Sequence, residues 1–209
     1  NFYFKYTNCK LTYLTYLTYL TYLTYLNILT HNILMNRLIN LNKIRWTCHH
    51  LHIDKSKTMH PKLLNESLVH MKEKWILMRD IKEQYNTKSL YNRMFDTTNH
   101  LVEQGCVQMR TFIDVDTIVG LDALYCARDI KAFWKTQDVD LQIGTQLLEG
   151  LDTPESIQLF NTAAPLVDFI GCLPSRDVNP GKHLDIVFSK ATELNKDVEL
   201  NVLNSDGQS

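Results

Sequence analysis

The sequence predicts an α/β fold: a partial (β/α)8 barrel of about five βα units, preceded by a low-complexity N-terminal extension. Three observations predict it. Short runs rich in β-branched and aromatic residues alternate with amphipathic helical patterns, which favours parallel strands joined by helices. No phosphate-binding glycine motif follows any run, which weakens the alternative of an open, doubly wound nucleotide-binding sheet. Polar residues gather at the carboxyl ends of the runs, as at the functional face of a barrel.

The predicted extension covers residues 1–40, and the predicted barrel domain covers residues 41–209. A Thr-Tyr-Leu triplet repeats from Thr12 to Leu26, and a period of three keeps no apolar face on either a helix or a strand. The high Thr, Tyr and Asn content argues against a membrane span. We expect a simple-sequence expansion. The alternative is a non-catalytic scaffold or membrane-associated protein that uses this Tyr/Leu repeat.

Composition excludes several classes of partner. The chain has 22 basic and 23 acidic side chains, so no concentrated basic face is expected to bind nucleic acid. The five cysteines show no metal-binding or disulfide-framework spacing, which indicates reduced thiols and a cytoplasmic location. The oligomeric state is left open.

Periodicity predicts the elements of the barrel domain in order. The first helix places Leu68, Trp75 and Met78 on one face at helical spacing. The second helix ends before Gly105, a residue suited to a helix C-terminus, and Pro154 suits the first turn of the fourth. The predicted strands are 43–50, 106–115, 139–146, 167–174 and 197–204, and the predicted helices are 65–85, 87–104, 119–134, 154–164 and 181–194.

Each predicted strand is followed by polar residues. They are His50 and His52, Asp114 and Asp116, Gln146 and Glu149, Arg176 and Asp177, and Asn201 and Asn204. Because side chains alternate along a strand, His50 and His52 share a face and could hold one ion. Two histidines are not a complete hydrolytic site, which needs three or four ligands and an open position for water. Asp114 and Asp116 could equally be loop caps, and the remaining histidines are expected to be solvated or hydrogen-bonded.

Four ordered motifs between Trp46 and Asp206 resemble the first five strands of the cytosine deaminase-like branch of the metal-dependent amidohydrolase superfamily. They are "CHHLHIDKSKTM", "EQGCVQMRTFIDVD", "VDLQI" with the following "LEG", and "DFIGCLPSRDVNPGKHLDIVFSKATE". The resemblance implies a barrel enzyme with one zinc or iron ion. Such an enzyme hydrolyses the exocyclic amine of a small cyclic amidine such as cytosine.

The resemblance also implies roles for individual residues. His50 and His52 match the two metal ligands of the first strand. Asn201 stands at the position of a third, histidine ligand, and Asn204 at that of the proton-carrying Glu. Leu148 stands at the position of the substrate-binding Gln. A neutral Asn is a poor ligand and cannot exchange a proton near neutral pH.

We therefore expect a catalytically impaired chain. The sequence ends at Ser209, before counterparts of the family's later metal-binding strands, which suggests a fragment of a longer product or a defective copy. The rival hypothesis is a working hydrolase whose missing strands come from a longer product or a partner chain.

Overall fold

The computed structural model of the protein describes residues 45–59 and 71–201, where parallel strands alternate with helices. The α/β class with parallel strands is therefore confirmed. The predictions for the extension 1–40 and its repeat, for Leu68 and for Asn204 lie outside the described residues. No helix within the described ranges is long and apolar enough to cross a bilayer.

The described residues form five strands, each within one of the predicted runs or beside it. They are β1 Trp46–Leu51, β2 Cys106–Asp114, β3 Asp140–Gln146, β4 Ile170–Cys172 and β5 Val198–Leu200. The last two have only three residues each. Every pairing between neighbouring strands is parallel.

Five α-helices lie between the strands in the part of the chain that the structure describes. They are α1 Met71–Glu83, α2 Thr87–Glu103, α3 Asp122–Lys135, α4 Pro154–Ala163 and α5 Pro180–Leu194. Local chemistry explains their ends: the Asn86 side chain accepts the Ser89 N–H at the start of α2, and Thr153 and Ser156 form a capping box on α4. Gly105, just beyond α2, has a φ of 94°, which confirms its predicted position at that helix end.

The sheet is divided between its third and fourth strands. Hydrogen bonds join β1, β2 and β3 into one sheet and β4 and β5 into another, and an isolated parallel bridge between Gly144 and Phe169 links the two. At this seam the Thr145 hydroxyl donates to the Gly171 carbonyl at 2.8 Å and accepts the Gly171 N–H at 3.1 Å. A side chain thus replaces part of the backbone ladder. The continuous five-stranded sheet expected of the partial barrel is corrected to three plus two strands.

The five strands nevertheless follow a strongly curved surface. Glu199 on β5 lies 2.8 Å from Arg110 Nε on β2 and 3.8 Å from His50 Nδ1 on β1. In a flat sheet with strands about 4.8 Å apart, β1 and β5 would be separated by about 19 Å. The contacts of Glu199 therefore require the two ends of the strand series to curve toward each other around a shared inner face.

The apolar core lies between the strands and the helices that cover their outer face. Its largest fully buried members are Ile53, Leu90, Met94, Met109, Ile113, Leu124, Ile130, Leu141, Ile143 and Phe160. The four described cysteines are free thiols. Burial raises the pKa of the Cys106 and Cys172 thiols to about 11, which disfavours the reactive thiolate.

Gly171 is expected to tolerate no side chain at the seam. A Cβ there would lie 2.2 Å from the Thr145 carbonyl oxygen and 2.6 Å from the Phe112 ring. We expect Gly171→Ala to lower the free energy of unfolding by about 3 kcal/mol, because backbone must move to relieve the overlap. Urea denaturation measures this. Gly181→Ala, in the first turn of α5, is the control and should change stability by no more than about 1 kcal/mol. Equal effects of the two variants would contradict a tightly packed seam.

Candidate functional site

His50 and His52 lie side by side at the carboxyl end of β1. Their ring centres are 5.0 Å apart and the rings are nearly perpendicular. Both rings also pack on Phe112 of β2, at 4.7 Å and 5.6 Å between centres. Burial, reinforced by the positive charge of Lys55, holds the pKa of His52 well below its usual value. His52 is therefore a neutral imidazole, the form that binds metal ions.

The two histidines have a spacing suited to one ion. Two imidazoles that bind one zinc ion through bonds of about 2.0–2.1 Å, at a tetrahedral angle, have ring centres about 5 Å apart. The Nδ1 atom of His52 is buried and has no hydrogen-bond partner in the described parts of the chain. The separation of the two rings is thus compatible with binding one ion.

No further ligands complete a metal site around these two histidines within the described residues. Across residues 45–59 and 71–201, no three His, Cys, Asp or Glu side chains come together in a way that could hold an ion. Asn201, which follows β5, is at the position that the resemblance gives to a third ligand, and its amide donates to Gln146 Oε1 at 3.5 Å. An Asn side chain offers a metal only a neutral amide oxygen. Among the described residues His50 and His52 are therefore two candidate ligands, fewer than the three or four that a zinc or iron site needs.

A buried network of carboxylates and lysines lies beside the histidines. Lys55 Nζ is 2.7 Å from Asp114 Oδ1, and Lys82 of α1 contacts both Asp114 and Asp116. Asp54 accepts the Asp114 backbone N–H at 3.0 Å. Lys82 is 34 residues from Asp116 in the sequence and carries no local signal, so sequence reasoning missed it.

The opposite charges in this network shift the pKa values of its members. Burial by itself would raise the pKa of Asp114, but the charges of Lys55 and Lys82 outweigh burial and hold this pKa below its usual value. Burial would likewise lower the pKa of Lys82, and the neighbouring carboxylates raise it instead. Asp114 and Lys82 are therefore both charged at neutral pH.

Asp54 behaves in the opposite way. Burial raises its pKa from 3.8 to about 6, with Lys55 opposing that rise. Its exposed fraction is 1% and its Oδ2 accepts the Asp114 backbone N–H, so we assign it a structural role.

Replacing Asp54 with Asn should remove one component of the pH dependence of stability. Because the folded-state pKa of about 6 exceeds the ordinary value of 3.8, the folded chain binds more protons between pH 4 and 6 than the unfolded chain. Stability contributed by Asp54 therefore falls as pH rises through this range. We expect the wild type to gain stability relative to Asp54→Asn as pH falls from about 7 to 4.

Urea denaturation of both chains at several pH values measures this difference. Asp96→Asn is the matched control, because Asp96 is an exposed partner of Lys57 and should show no such trend. A pH-independent difference between wild type and Asp54→Asn would contradict the assignment.

Asp116 is a loop cap, the structural alternative that the sequence left open. Its Oδ1 accepts the backbone N–H groups of Ile118 and Val119, in a turn that ends at Gly120 with a φ of 56°. Its other oxygen contacts Lys82. Both carboxylate oxygens are thus engaged within the protein.

The loop after β3 contains the position that the resemblance assigns to substrate binding. Leu148 fills it with an apolar side chain that is 7% exposed and cannot hydrogen-bond a ligand. The Leu148 carbonyl accepts a hydrogen bond from Arg176, whose guanidinium stacks 3.8 Å from the centre of the Trp75 ring. Glu149 next to it lies 3.9 Å from Arg79 and 4.0 Å from Lys82 of α1.

Arg176 and Asp177, predicted at the polar rim after β4, serve the neighbouring loop. The Asp177 carboxylate accepts the Leu151 N–H and lies 2.9 Å from Nδ1 of His183. His183 was expected to be solvated or hydrogen-bonded, and it is a buried, hydrogen-bonded residue of α5. The structure therefore brings His50, His52, Gln146 and Asn201 toward the inner face and places Asp177 between two loops.

Comparison with known proteins gives a consistent result for the fold. No family model matches the sequence. Over 161 residues the chain is 30% identical to an uncharacterized protein of Haemophilus influenzae, covering 74% of this chain and 57% of that protein. The fold is similar to that of 5-methylcytosine deaminase from Klebsiella pneumoniae liganded with 5-fluorocytosine, with a TM-score of 0.64 and 22% identity over 73% of this chain and 37% of that chain.

A second solved structure extends the comparison. N-isopropylammelide isopropylaminohydrolase from Burkholderia multivorans has a TM-score of 0.61 and 22% identity over 74% of this chain and 39% of that chain. The chain thus spans 57% of the curated relative that it matches and less than two-fifths of these solved chains. The described part of the chain shares the fold of part of these hydrolases.

Proposed function

We propose that the chain is a catalytically impaired relative of the metal-dependent amidohydrolases that deaminate cyclic amidines such as cytosine. The observation that carries this proposal is the pairing of His50 and His52 at the end of β1 with the neutral Asn201 after β5. In this proposal the two histidines would hold an ion from one side, and position 201 offers an amide in place of a third strong ligand. The small molecules that bind the similar solved structures, such as 5-fluorocytosine, indicate the ligand class.

The strands are proposed to form part of a (β/α)8 barrel of about five βα units. Support comes from the order of the strands, in which each pairs or bridges in parallel with the next in sequence. The contacts of Glu199 with β1 and β2 also support it, because they require the series of strands to curve as the strands of a barrel do.

Impairment is argued from substitutions that act together. Asn201 replaces a metal ligand, and Leu148 replaces a polar substrate contact. Asn204, outside the described residues, stands at the position of the proton carrier. Loss of a general acid or base alone lowers a rate by about 100- to 10,000-fold. Zinc or iron held only by His50 and His52 would lack the protein ligands that fix a water molecule for attack.

An ammonia-release assay tests the proposal. The purified full chain is supplied with Zn²⁺ or Fe²⁺ and incubated with cytosine and with 5-methylcytosine. We expect ammonia production no faster than in buffer containing the same metal. Production above that background, and lost in His50→Ala, would overturn the proposal, since His50→Ala removes this site and leaves a contaminating deaminase unchanged.

The same assay, run on a longer product that carries further strands, distinguishes the proposal from the rival hypothesis of a working hydrolase. If the substitutions cause the impairment, such a product also releases no ammonia above background. Ammonia release by that product would support the rival hypothesis.

A further inference from the structure

We infer that Asp177 and His183 form a positioning pair that fixes the loop after β3, residues 147–153, against the loop after β4. The inference goes beyond the proposed function and does not need its chemistry. It rests on hydrogen bonds, burial and the backbone conformation of these two loops.

The Asp177 carboxylate binds the backbone of the β3 loop. Its two oxygens lie 2.9 Å and 3.0 Å from the Leu151 backbone nitrogen, and its side chain is buried. Gly150 has a φ of 77°, and a Cβ there would lie 2.0 Å from Asp177 Oδ1. Glycine therefore serves both the left-handed backbone and the close approach of the carboxylate.

His183 fixes the orientation of that carboxylate. Its Nδ1 lies 2.9 Å from Asp177 Oδ2, and the ring is 0% exposed in the first turns of α5. Because a carboxylate only accepts hydrogen bonds, Nδ1 carries the proton. The other ring nitrogen, Nε2, is buried without a hydrogen-bond partner among the residues that the structure describes. The Nδ1–H group is therefore the donor by which this buried ring orients the Asp177 carboxylate.

The residues on either side of Asp177 bind the same loop. Arg176 donates to the Leu148 carbonyl, and the Val178 N–H donates to Asp152 Oδ2 at 2.9 Å. Both backbone N–H groups donate to a carboxylate, but the Asp152 contact is exposed and the Asp177 contact is buried. The Asp177 contact is therefore the stronger constraint. The β3 loop thus takes its shape from the β4 loop, and that shape places Leu148.

Hydrogen exchange on the full chain tests the inference. In Asp177→Asn, the isosteric amide cannot accept all the hydrogen bonds made by the carboxylate. We expect amide exchange in residues 147–153 to become about 10- to 100-fold faster, the factor expected for loss of a charge-assisted hydrogen bond. Exchange in β2 and β3 should change by less than about threefold. Asp152→Asn is the matched control, and we expect it to change loop exchange by less than about threefold.

Two variants of His183 separate positioning from simple packing. His183→Asn and His183→Ala both shorten the side chain, but only Asn keeps a donor near the Nδ1 position. We expect loop exchange in His183→Asn to remain at least about fivefold slower than in His183→Ala, because its donor still orients Asp177.

Equal loop exchange in the two His183 variants would overturn the inference, as would a uniform rise across β2, β3 and the loop in Asp177→Asn. If Asp177→Asn fails to fold, the two His183 variants still decide the question. None of these outcomes depends on ammonia release, so failure of this inference and failure of the proposed function are distinguishable.

Discussion

Replacing Lys82 with Met is expected to lower the free energy of unfolding by about 3–5 kcal/mol. The Lys82 side chain is 1% exposed, and its ammonium group contacts Asp114 and Asp116, which are both buried. Removing it leaves two buried carboxylates short of positive charge, because Lys82 contacts both Asp114 and Asp116. An uncompensated buried charge costs more than the lost ion pair itself.

Urea denaturation measures this loss, and we expect the dependence of the unfolding free energy on urea concentration to keep the same slope. Arg79→Met is the matched control on the same helix, because the Arg79 side chain is 54% exposed and its pairs with Glu83 and Glu149 are long, at 3.7 Å and 3.9 Å. We expect the control to lose no more than about 1 kcal/mol. Similar losses of unfolding free energy in the two variants would show that the buried ion pairs of Lys82 stabilise the fold no more than the exposed pairs of Arg79.

The second large effect is expected from Asn201→His, which should strengthen zinc binding by at least about 100-fold, equivalent to about 3 kcal/mol. The new imidazole would add a third strong ligand to His50 and His52, and three protein ligands are what catalytic zinc sites use. Asn201 follows Glu199 by two residues, and Glu199 already reaches His50 across the inner face. Alternation along β5 therefore directs position 201 toward the same face.

Competition with a zinc-sensitive chelator measures the affinity. Asn161→His, on the exposed side of α4, controls for zinc captured by any added surface histidine and should leave the affinity within about threefold of wild type. An unchanged affinity in Asn201→His would contradict the placement of residue 201 at the third-ligand position.

Much of the fold could be predicted because its signals are local. Helical and strand periodicity located the elements between Trp46 and Leu200, and Gly105 marked a helix end by its freedom to adopt a positive φ. The seam between β3 and β4 could not be predicted in this way. It depends on Thr145 meeting Gly171 and on glycines that make room for the rings of other strands, which no local pattern encodes.

In the candidate site too, the features that could be predicted are local, and the others depend on contacts between distant parts of the sequence. The spacing of His50 and His52 predicts their shared face, because alternation along a strand is a local property. The role of Lys82 depends on a contact between α1 and the end of β2, and the pairing of Asp177 with His183 depends on how α5 packs on two loops. The significance of Asn201 came from the family resemblance, because an isolated Asn after a strand has no signal of its own.

The most direct test of the central claim is an equilibrium zinc titration of the wild type, His50→Ala and Asn201→Ala. If only His50 and His52 at the end of β1 bind zinc, we expect weak zinc binding in the wild type. That binding should be lost in His50→Ala and unchanged in Asn201→Ala. One tightly held equivalent of zinc in the wild type, weakened tenfold or more by Asn201→Ala, would contradict the account.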